Sequence, residues 1–302
     1  MTSKKNTREK IKVNVSVVIP IHNSARFLPR LFHSLQIQEF KEFEVLIVDD
    51  NSKDNGDVLA IELLEKAGIE GRVIKSTASG PGSARNTGIA AAKTDFVTFV
   101  DSDDYILHNH LSTLISKVNS DTDIIEGLFL AVDERGNVIS KSDIRGHLLS
   151  DRVRSILTGK ISAVSWGKLY RRKMLLDNHV YFPEQIHNGE DHIFSIYAYS
   201  SARKIACSFS YTYMWCRREN SLTRRKIDDK YLSDMIFVSK VKIGLAKNSE
   251  MLDALKQRLD KQYNDIQSQI IRDHGKNSNV DFTWFKHSWK RMIESDNAVK
   301  EG

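Results

Sequence analysis

The chain is poor in cysteine, in proline and in long apolar runs, and each shortage closes off a class of protein. Two cysteines in 302 residues, Cys207 and Cys216, cannot make a disulfide framework, and neither has cysteine or histidine neighbours at zinc-ligand spacing. Their scarcity points to a reducing compartment. Four prolines and 15 glycines exclude a collagen-like chain. No apolar run approaches the roughly 18–20 residues that cross a bilayer, so no membrane-spanning helix is expected. Lys4, Lys5, Arg8, Lys10 and Lys12 crowd the first dozen residues with no apolar stretch behind them, which is not the pattern of a secretory signal.

What is present is globular in balance: 40% hydrophobic and 28% charged residues. The length suits two modest domains, or one large domain with an appendage, and buries a core without covalent staples. A net charge of +6 favours anionic partners such as nucleotides, phosphates, nucleic acid or an acidic membrane face, without choosing among them.

Strand-like and helix-like segments alternate in the first half. Val13–Ile19 reads as a strand buried on both faces, with Pro20 expected to stop it. Phe27, Leu28, Leu31 and Leu35 mark a helix that tolerates Pro29 only in its first turn. Phe43–Val48 reads as the second strand, and Ser52 or Asp54 as the cap of a helix whose apolar face is Val58, Ile61 and Leu64. Arg72–Lys75 and Phe96–Val100 read as further strands, with a helix capped by Ser83 between them. This rhythm predicts an α/β fold, a mostly parallel, doubly wound sheet with helices on both faces. Beyond it, Ile124–Val132 and Val138-Ile139 read as a hairpin, Ile205–Trp215 as a strand, and the chain after Ile227 as a helical C-terminal region. The predicted division is a basic extension at 1–12, a nucleotide-binding half at 13–132, an acceptor half at 133–225 and a helical region at 226–302.

Ligands of such sheets sit beyond the carboxyl ends of the strands. Three polar clusters fall there: His22-Asn23, Asp49-Asp50 and Asp101 to Asp104. Asp101-Ser102-Asp103 places two carboxylates one residue apart, as Mg²⁺ or Mn²⁺ with substrate phosphates would require, although a solvated turn has the same composition. Asp49-Asp50 could accept hydrogen bonds from a base or ribose, or simply shape a turn. Gly80 to Asn86 could bring backbone N–H groups and the Arg85 cation to a diphosphate at a helix start, or form an ordinary cap. Gly189-Glu190-Asp191-His192 opens a helix, where negative charge is favoured; one carboxylate there is either a cap or a general base. Trp166 to Arg172 and Arg217 to Arg225 mix cations with hydrogen-bonding groups, and the first adds aromatic rings.

Taken in order, Val15 to Asn23, Glu44 to Ser52, Gly82 to Gly88 and Phe99 to Asp104 resemble glycosyltransferase family 2, the inverting nucleotide-sugar enzymes of the GT-A fold. The likeness continues more loosely through Trp166-Gly167-Lys168-Leu169-Tyr170 and Gly189-Glu190-Asp191. It implies that Pro20, Ile21, His22 and Asn23 line the nucleotide pocket, that Asp50 binds the base with Asp49 close by, and that Arg85 and Asn86 lie beside the donor. It implies that Asp103 binds a Mn²⁺ or Mg²⁺ ion most directly, with Asp101 and Ser102 of the same D-x-D turn at ribose or sugar. Asp191 would be the catalytic base, Glu190 its neighbour, and Lys168 and Arg224 would close over diphosphate or acceptor. Two positions depart from the family pattern: His22 stands where tyrosine is common, and Gly167 where asparagine is common.

The implied activity is transfer of a sugar from a nucleotide sugar, a UDP-sugar by expectation, to a hydroxyl of a glycan or glycolipid. The β-linked product would belong to a capsule or lipopolysaccharide. The expected place is the cytoplasm, with peripheral contact at the inner face of the membrane. The apolar stripes Tyr231, Met235, Val238, Val241 and Leu252, Leu255, Leu259 would pack on the core or on a second subunit as a homodimer. Phe282, Trp284, Phe285 and Trp289 with Lys286, Lys290 and Arg291 suit either core packing or an anionic membrane interface. Two other readings are a sugar-nucleotide nucleotidyltransferase, whose glycine- and arginine-rich signature is missing, and a binder of RNA or acidic polymer. Acids gathered at strand ends argue against a nucleic-acid groove.

Overall fold

The computed structural model describes residues 14–143, 151–218, 227–246, 248–274 and 282–294. The basic extension at 1–12, Arg224 with its neighbours at 219–226, and the last eight residues lie outside them.

The alternation read from the sequence is realised as β1 (Val15–Ile21), α1 (Leu28–Gln36), β2 (Phe43–Asp49), α2 (Gly56–Ala67), β3 (Gly71–Lys75), α3 (Pro81–Ala91) and β4 (Phe96–Phe99). There follow β5 (Tyr105–Ile106), α4 (His110–Ile115), β6 (Ile124–Val132), β7 (Val138–Lys141), α5 (Arg152–Leu157), β8 (Lys168–Arg171), α6 (Arg172–Asp177), α7 (Glu190–Ser201) and β9 (Ile205–Cys216). Three helices end the described chain: α8 (Asp229–Gly244), α9 (Ser249–His274) and α10 (Thr283–Glu294). The strands form one sheet in the order β3-β2-β1-β4-β8-β6-β9-β5, with β7 paired to β6. Its first four strands are parallel. β8 then enters antiparallel between β4 and β6, and β9 runs parallel to β6.

Four local expectations are corrected. Pro20 does not end β1, which continues to Ile21. The Val18 carbonyl accepts from Val100 on the β4 side, so Pro20, two residues on, turns its hydrogen-free nitrogen to the same side, where the pairing with β4 has already stopped at Val18↔Phe99. On α2 the buried face is Ala60 and Leu64, while Val58 and Ile61 are about half exposed. The cap position of α2 is Asn55, in a left-handed conformation, and Asp54 accepts from the Gly56 N–H at 3.1 Å. Ser83 lies inside α3 rather than at its cap, with its hydroxyl accepting from Ala78 N.

The main core joins both sides of the sheet to α1, α3, α6 and α7. A second apolar cluster carries the C-terminal region: Leu232 and Val238 of α8, Leu255 and Leu259 of α9, and Phe285, Trp289 and Met292 of α10, packed against Ile186 and Ile193. Of the expected stripes, Met235 and Val238 on α8 and Leu252, Leu255 and Leu259 on α9 are buried within the chain, and Tyr231 and Val241 are partly buried against the same cluster. On α10 the aromatic face is also turned inward. Phe285 and Trp289 are 1% and 3% exposed and meet the Tyr263 ring, leaving Trp284 as the exposed aromatic.

Candidate active site

The polar clusters at the ends of β1 and β2 are tied together by hydrogen bonds between side chains and backbone rather than left as independent turns. Asn23 and Asn51 both adopt left-handed backbone, a conformation asparagine tolerates better than most residues. Asn23 N donates to Ser52 Oγ at 3.2 Å, and Lys53 N donates to Asn23 Oδ1 at 2.8 Å. His22 Nδ1 lies 2.5 Å from the Asp50 carbonyl oxygen, so the exposed imidazole is pinned beside Asp50. Pro20 and Ile21 form the strand floor beneath them.

Asp49 and Asp50 differ in what they have left to offer. The Asp49 side chain is fully buried and engaged by Lys75 Nζ at 2.6 Å and by Ser52 N at 3.2 Å. Asp50 accepts from Gly80 N through Oδ2 at 2.7 Å, while its buried Oδ1 has no partner. A buried carboxylate oxygen without a donor is costly, and a ligand N–H would relieve that cost.

Three of the candidate carboxylates, Asp101, Glu190 and Asp191, converge on Arg85. α3 presses so tightly on β1 that a Cβ at Gly88 would stand 2.2 Å from Val18 Cγ1, and this packing holds Arg85 inside the molecule, 4% exposed. Its Nη2 donates to Asp101 Oδ1 at 2.8 Å, and its Nη1 to Glu190 Oε1 at 3.0 Å. Asp191 Oδ1 lies 3.5 Å from Nη1 and accepts from Ser165 Oγ at 2.7 Å. One cation therefore joins the end of β4 to the first turn of α7. Burial alone would lower the Arg85 pKa, but Asp191, Asp101 and Glu190 together raise it. Burial pushes Glu190 up to about 7, helped by the charge on Asp191, while Arg85 opposes the rise. Asp101 is raised for the same first reason.

The turn after β4 is closed by Asp104 N donating to Asp101 O at 3.0 Å, which leaves Asp101, Ser102 and Asp103 part-exposed around it. Asp104 is the structural member: buried, it accepts from Tyr213 Oη at 2.7 Å and from Cys216 N at 2.8 Å. The Asp103 carboxylate is paired with Arg218, and its carbonyl accepts from Arg30 at 2.6 Å. Asp101 and Asp103 are hard oxygen donors. Two such carboxylates fit a Mg²⁺- or Mn²⁺-type ion that brings phosphate ligands with it. Among the described residues no group of three or more His, Cys, Asp or Glu side chains stands ready for a metal.

Two expected residues are engaged within the chain itself, and a third lies outside the described residues. Lys168 is 3% exposed on β8, and its ammonium donates to the carbonyls of Val164 and Ser162. Asn86 binds the Phe182 backbone through both ends of its amide, at 2.9 Å each. Arg224 lies outside the described residues. Gly167, the glycine in place of asparagine, has φ +68°, a conformation that both residues accept, so the departure preserves the backbone. Conversely, Ser165 and the arginines 26 and 30 carry no sequence signal. Burial lowers the Arg218 pKa, and Arg26 and Arg30 add to the effect, so a cationic rim faces Asp103.

The sequence model described as glycosyl transferase family 2 matches residues 16–178, more than half of the chain. Poly(ribitol-phosphate) beta-N-acetylglucosaminyltransferase TarS of Staphylococcus aureus is 33% identical over 199 residues, 63% of this chain and 33% of that one. A poly(ribitol-phosphate) beta-glucosyltransferase of Bacillus spizizenii is 30% identical over 213 residues, 67% of this chain and 32% of that one. The chain thus spans about a third of the length of these relatives. The crystal structure of TarS 1–349 with UDP-GlcNAc superimposes with a TM-score of 0.70 at 25% identity, covering 95% of this chain and 83% of that one. Sequence and architecture agree, the sheet with its C-terminal helices is a GT-A fold, and the chain belongs to glycosyl transferase family 2.

Proposed function

We propose that the chain transfers a sugar from a UDP-sugar to an acceptor hydroxyl with inversion at the anomeric carbon. The observation that carries this reading is the shared guanidinium of Arg85, which joins Asp101 to Glu190 and Asp191, the arginine and Glu190 being 105 positions apart in the chain. The open oxygen of Asp50 supports recognition of a base N–H beside His22 and Asn23, and TarS 1–349 has been crystallised with UDP-GlcNAc.

In this reading Asp191 takes the proton of the acceptor hydroxyl. The freed electron pair forms the bond to the anomeric carbon while the bond to the diphosphate breaks, its electrons leaving with UDP. One displacement converts an α-linked donor into a β-linked product. Arg85 fixes the base relative to Asp101, and holding two substrates in line is itself a large part of the acceleration. Asp103 and Asp101 would hold a Mg²⁺ or Mn²⁺ ion, whose contribution is to offset negative charge on the diphosphate. Residues 13–132 would serve the donor, 133–225 the base and acceptor, and 226–302 the packing around them.

The acceptor we favour is a surface glycan, glycolipid or polyol-phosphate polymer. The relatives named above act on poly(ribitol phosphate), which makes that polymer a more concrete candidate than capsule or lipopolysaccharide. A cytoplasmic site of action, peripheral to the membrane, is compatible with a fold in which no described helix is long and apolar enough to cross a bilayer.

The test is a screen of UDP-sugars with Mn²⁺ and Mg²⁺, reading UDP release with and without polyol-phosphate acceptors. Asp191→Asn is expected to lower turnover by about 10²–10⁴-fold, the usual worth of a general base, with UDP affinity retained. Near-normal turnover in that variant would remove Asp191 from the role.

A further inference from the structure

Besides Arg85 of α3, the loop at 162–165, just before β8, touches Asp191 from outside its own helix. Ser165 is fully buried, and its hydroxyl donates to Asp191 Oδ1 at 2.7 Å. The loop that presents it is held from two directions. From β8, Lys168 Nζ donates to Val164 O and to Ser162 O, and Tyr170 Oη donates to Ser165 O at 3.0 Å. Lys168 and Tyr170 are two residues apart and therefore share a face of the strand. From α7, Ser195 Oγ donates to Ala163 O at 3.1 Å and to Val164 O at 3.4 Å. Ser195 follows Asp191 by four residues, so the base and this anchor lie on one face of the helix.

Burying Lys168 for this purpose is unfavourable. Loss of solvent brings its pKa down to about 8, against the opposing pull of the buried Glu126. A charged side chain kept in the core with its hydrogens on loop carbonyls marks a frame that fixes geometry.

Two groups compete for the same oxygen of Asp191: the Ser165 hydroxyl at 2.7 Å and Arg85 Nη1 at 3.5 Å. A full ion pair with Arg85 would make the carboxylate a poorer proton acceptor. We propose that Ser165 is a positioning residue for the base: its hydroxyl holds Asp191 Oδ1 short of closure onto Arg85 and leaves Oδ2 as the oxygen that takes the acceptor proton. This rests on the assignment of Asp191 as base. Lys168, Tyr170 and Ser195 act one step further out, by fixing the loop.

The experiment compares Ser165→Ala and Ser165→Thr with the wild type. UDP release from UDP-GlcNAc and the other UDP-sugars is measured, and crystal structures of wild type and Ser165→Ala are determined. Ser165→Ala is expected to lose about tenfold in kcat, the equivalent of one hydrogen bond, with KM for the donor unchanged. Ser165→Thr, which keeps the hydroxyl, is expected to restore most of the rate. In the alanine variant the Asp191 carboxylate is expected to swing into bonding distance of Arg85. An unmoved carboxylate, an unchanged kcat, or equal loss in both variants would overturn the proposal. If the wild type releases no UDP from any UDP-sugar, the glycosyltransferase reading fails separately, and the carboxylate position in the alanine variant still decides what the hydroxyl does.

Discussion

Arg85 carries one positive charge and touches three acidic side chains, so full ionisation of all three would leave a buried surplus of negative charge. Glu190, pushed up to about 7 by burial and by Asp191, is where a proton relieves it. Because its folded pKa lies above the ordinary carboxylate value, the folded state binds the extra proton. The stabilisation is complete at low pH, below the ordinary glutamate range, and is lost as pH rises through about 7. Thermal melts from pH 5 to pH 8 are expected to show the wild type losing ground against Glu190→Gln as pH rises, since glutamine keeps an acceptor for Arg85 without the charge. Parallel curves would refute this. Asp50 invites a different measurement. Its Oδ1 is buried without a donor, so Asp50→Ala is expected to weaken UDP binding by about 10–100-fold, the range for a charged hydrogen bond, and to lower thermal stability as well by leaving Gly80 N without its acceptor. Calorimetric titration with UDP decides.

At the scale of elements, the tightest seam is between α3 and β1, where Val18 occupies the space a side chain at Gly88 would need. Gly88→Ala is expected to destabilise the protein by about 1–3 kcal/mol through overpacking, and Val18→Ala in the same chain to recover part of the loss. Melting curves of the single and the double variant check both halves of that expectation. The same seam shows why β1, β2 and β4 were legible in the sequence: strands buried on both faces read as unbroken β-branched runs. β8 was not, because Lys168-Leu169-Tyr170-Arg171 is short and mixes charge with apolar residues, and only its place between β4 and β6 makes it a strand. On α2 the expected face holds at Leu64 but not at Val58 and Ile61, which have the right spacing, while neighbouring elements cover Ala60. In the candidate site, motifs standing in order single out Asp50, Asp101, Asp103, Glu190 and Asp191, and of these the structure brings Asp101, Glu190 and Asp191 together at Arg85. Ser165 was not legible, since a single serine becomes informative only when folding brings it to Asp191.

At the scale of the molecule, the C-terminal helices form their own apolar cluster and cover α7, the helix that opens with Glu190 and Asp191. Trp289 is central to that cluster and nearly inaccessible. Trp289→Ala is expected to loosen α10 by about 3–5 kcal/mol, the usual loss for a large aromatic truncated in a core. Hydrogen exchange along α10 and α9 would register it, and unchanged protection would show that the ring contributes little. The position of β8 in the sheet also bears on synthesis. A chain still on the ribosome exposes the free edge of β4 until residues 168–171 have been made, because those residues are the ones that pair with it. For that interval the nascent protein offers unpaired backbone that a neighbouring polypeptide could capture.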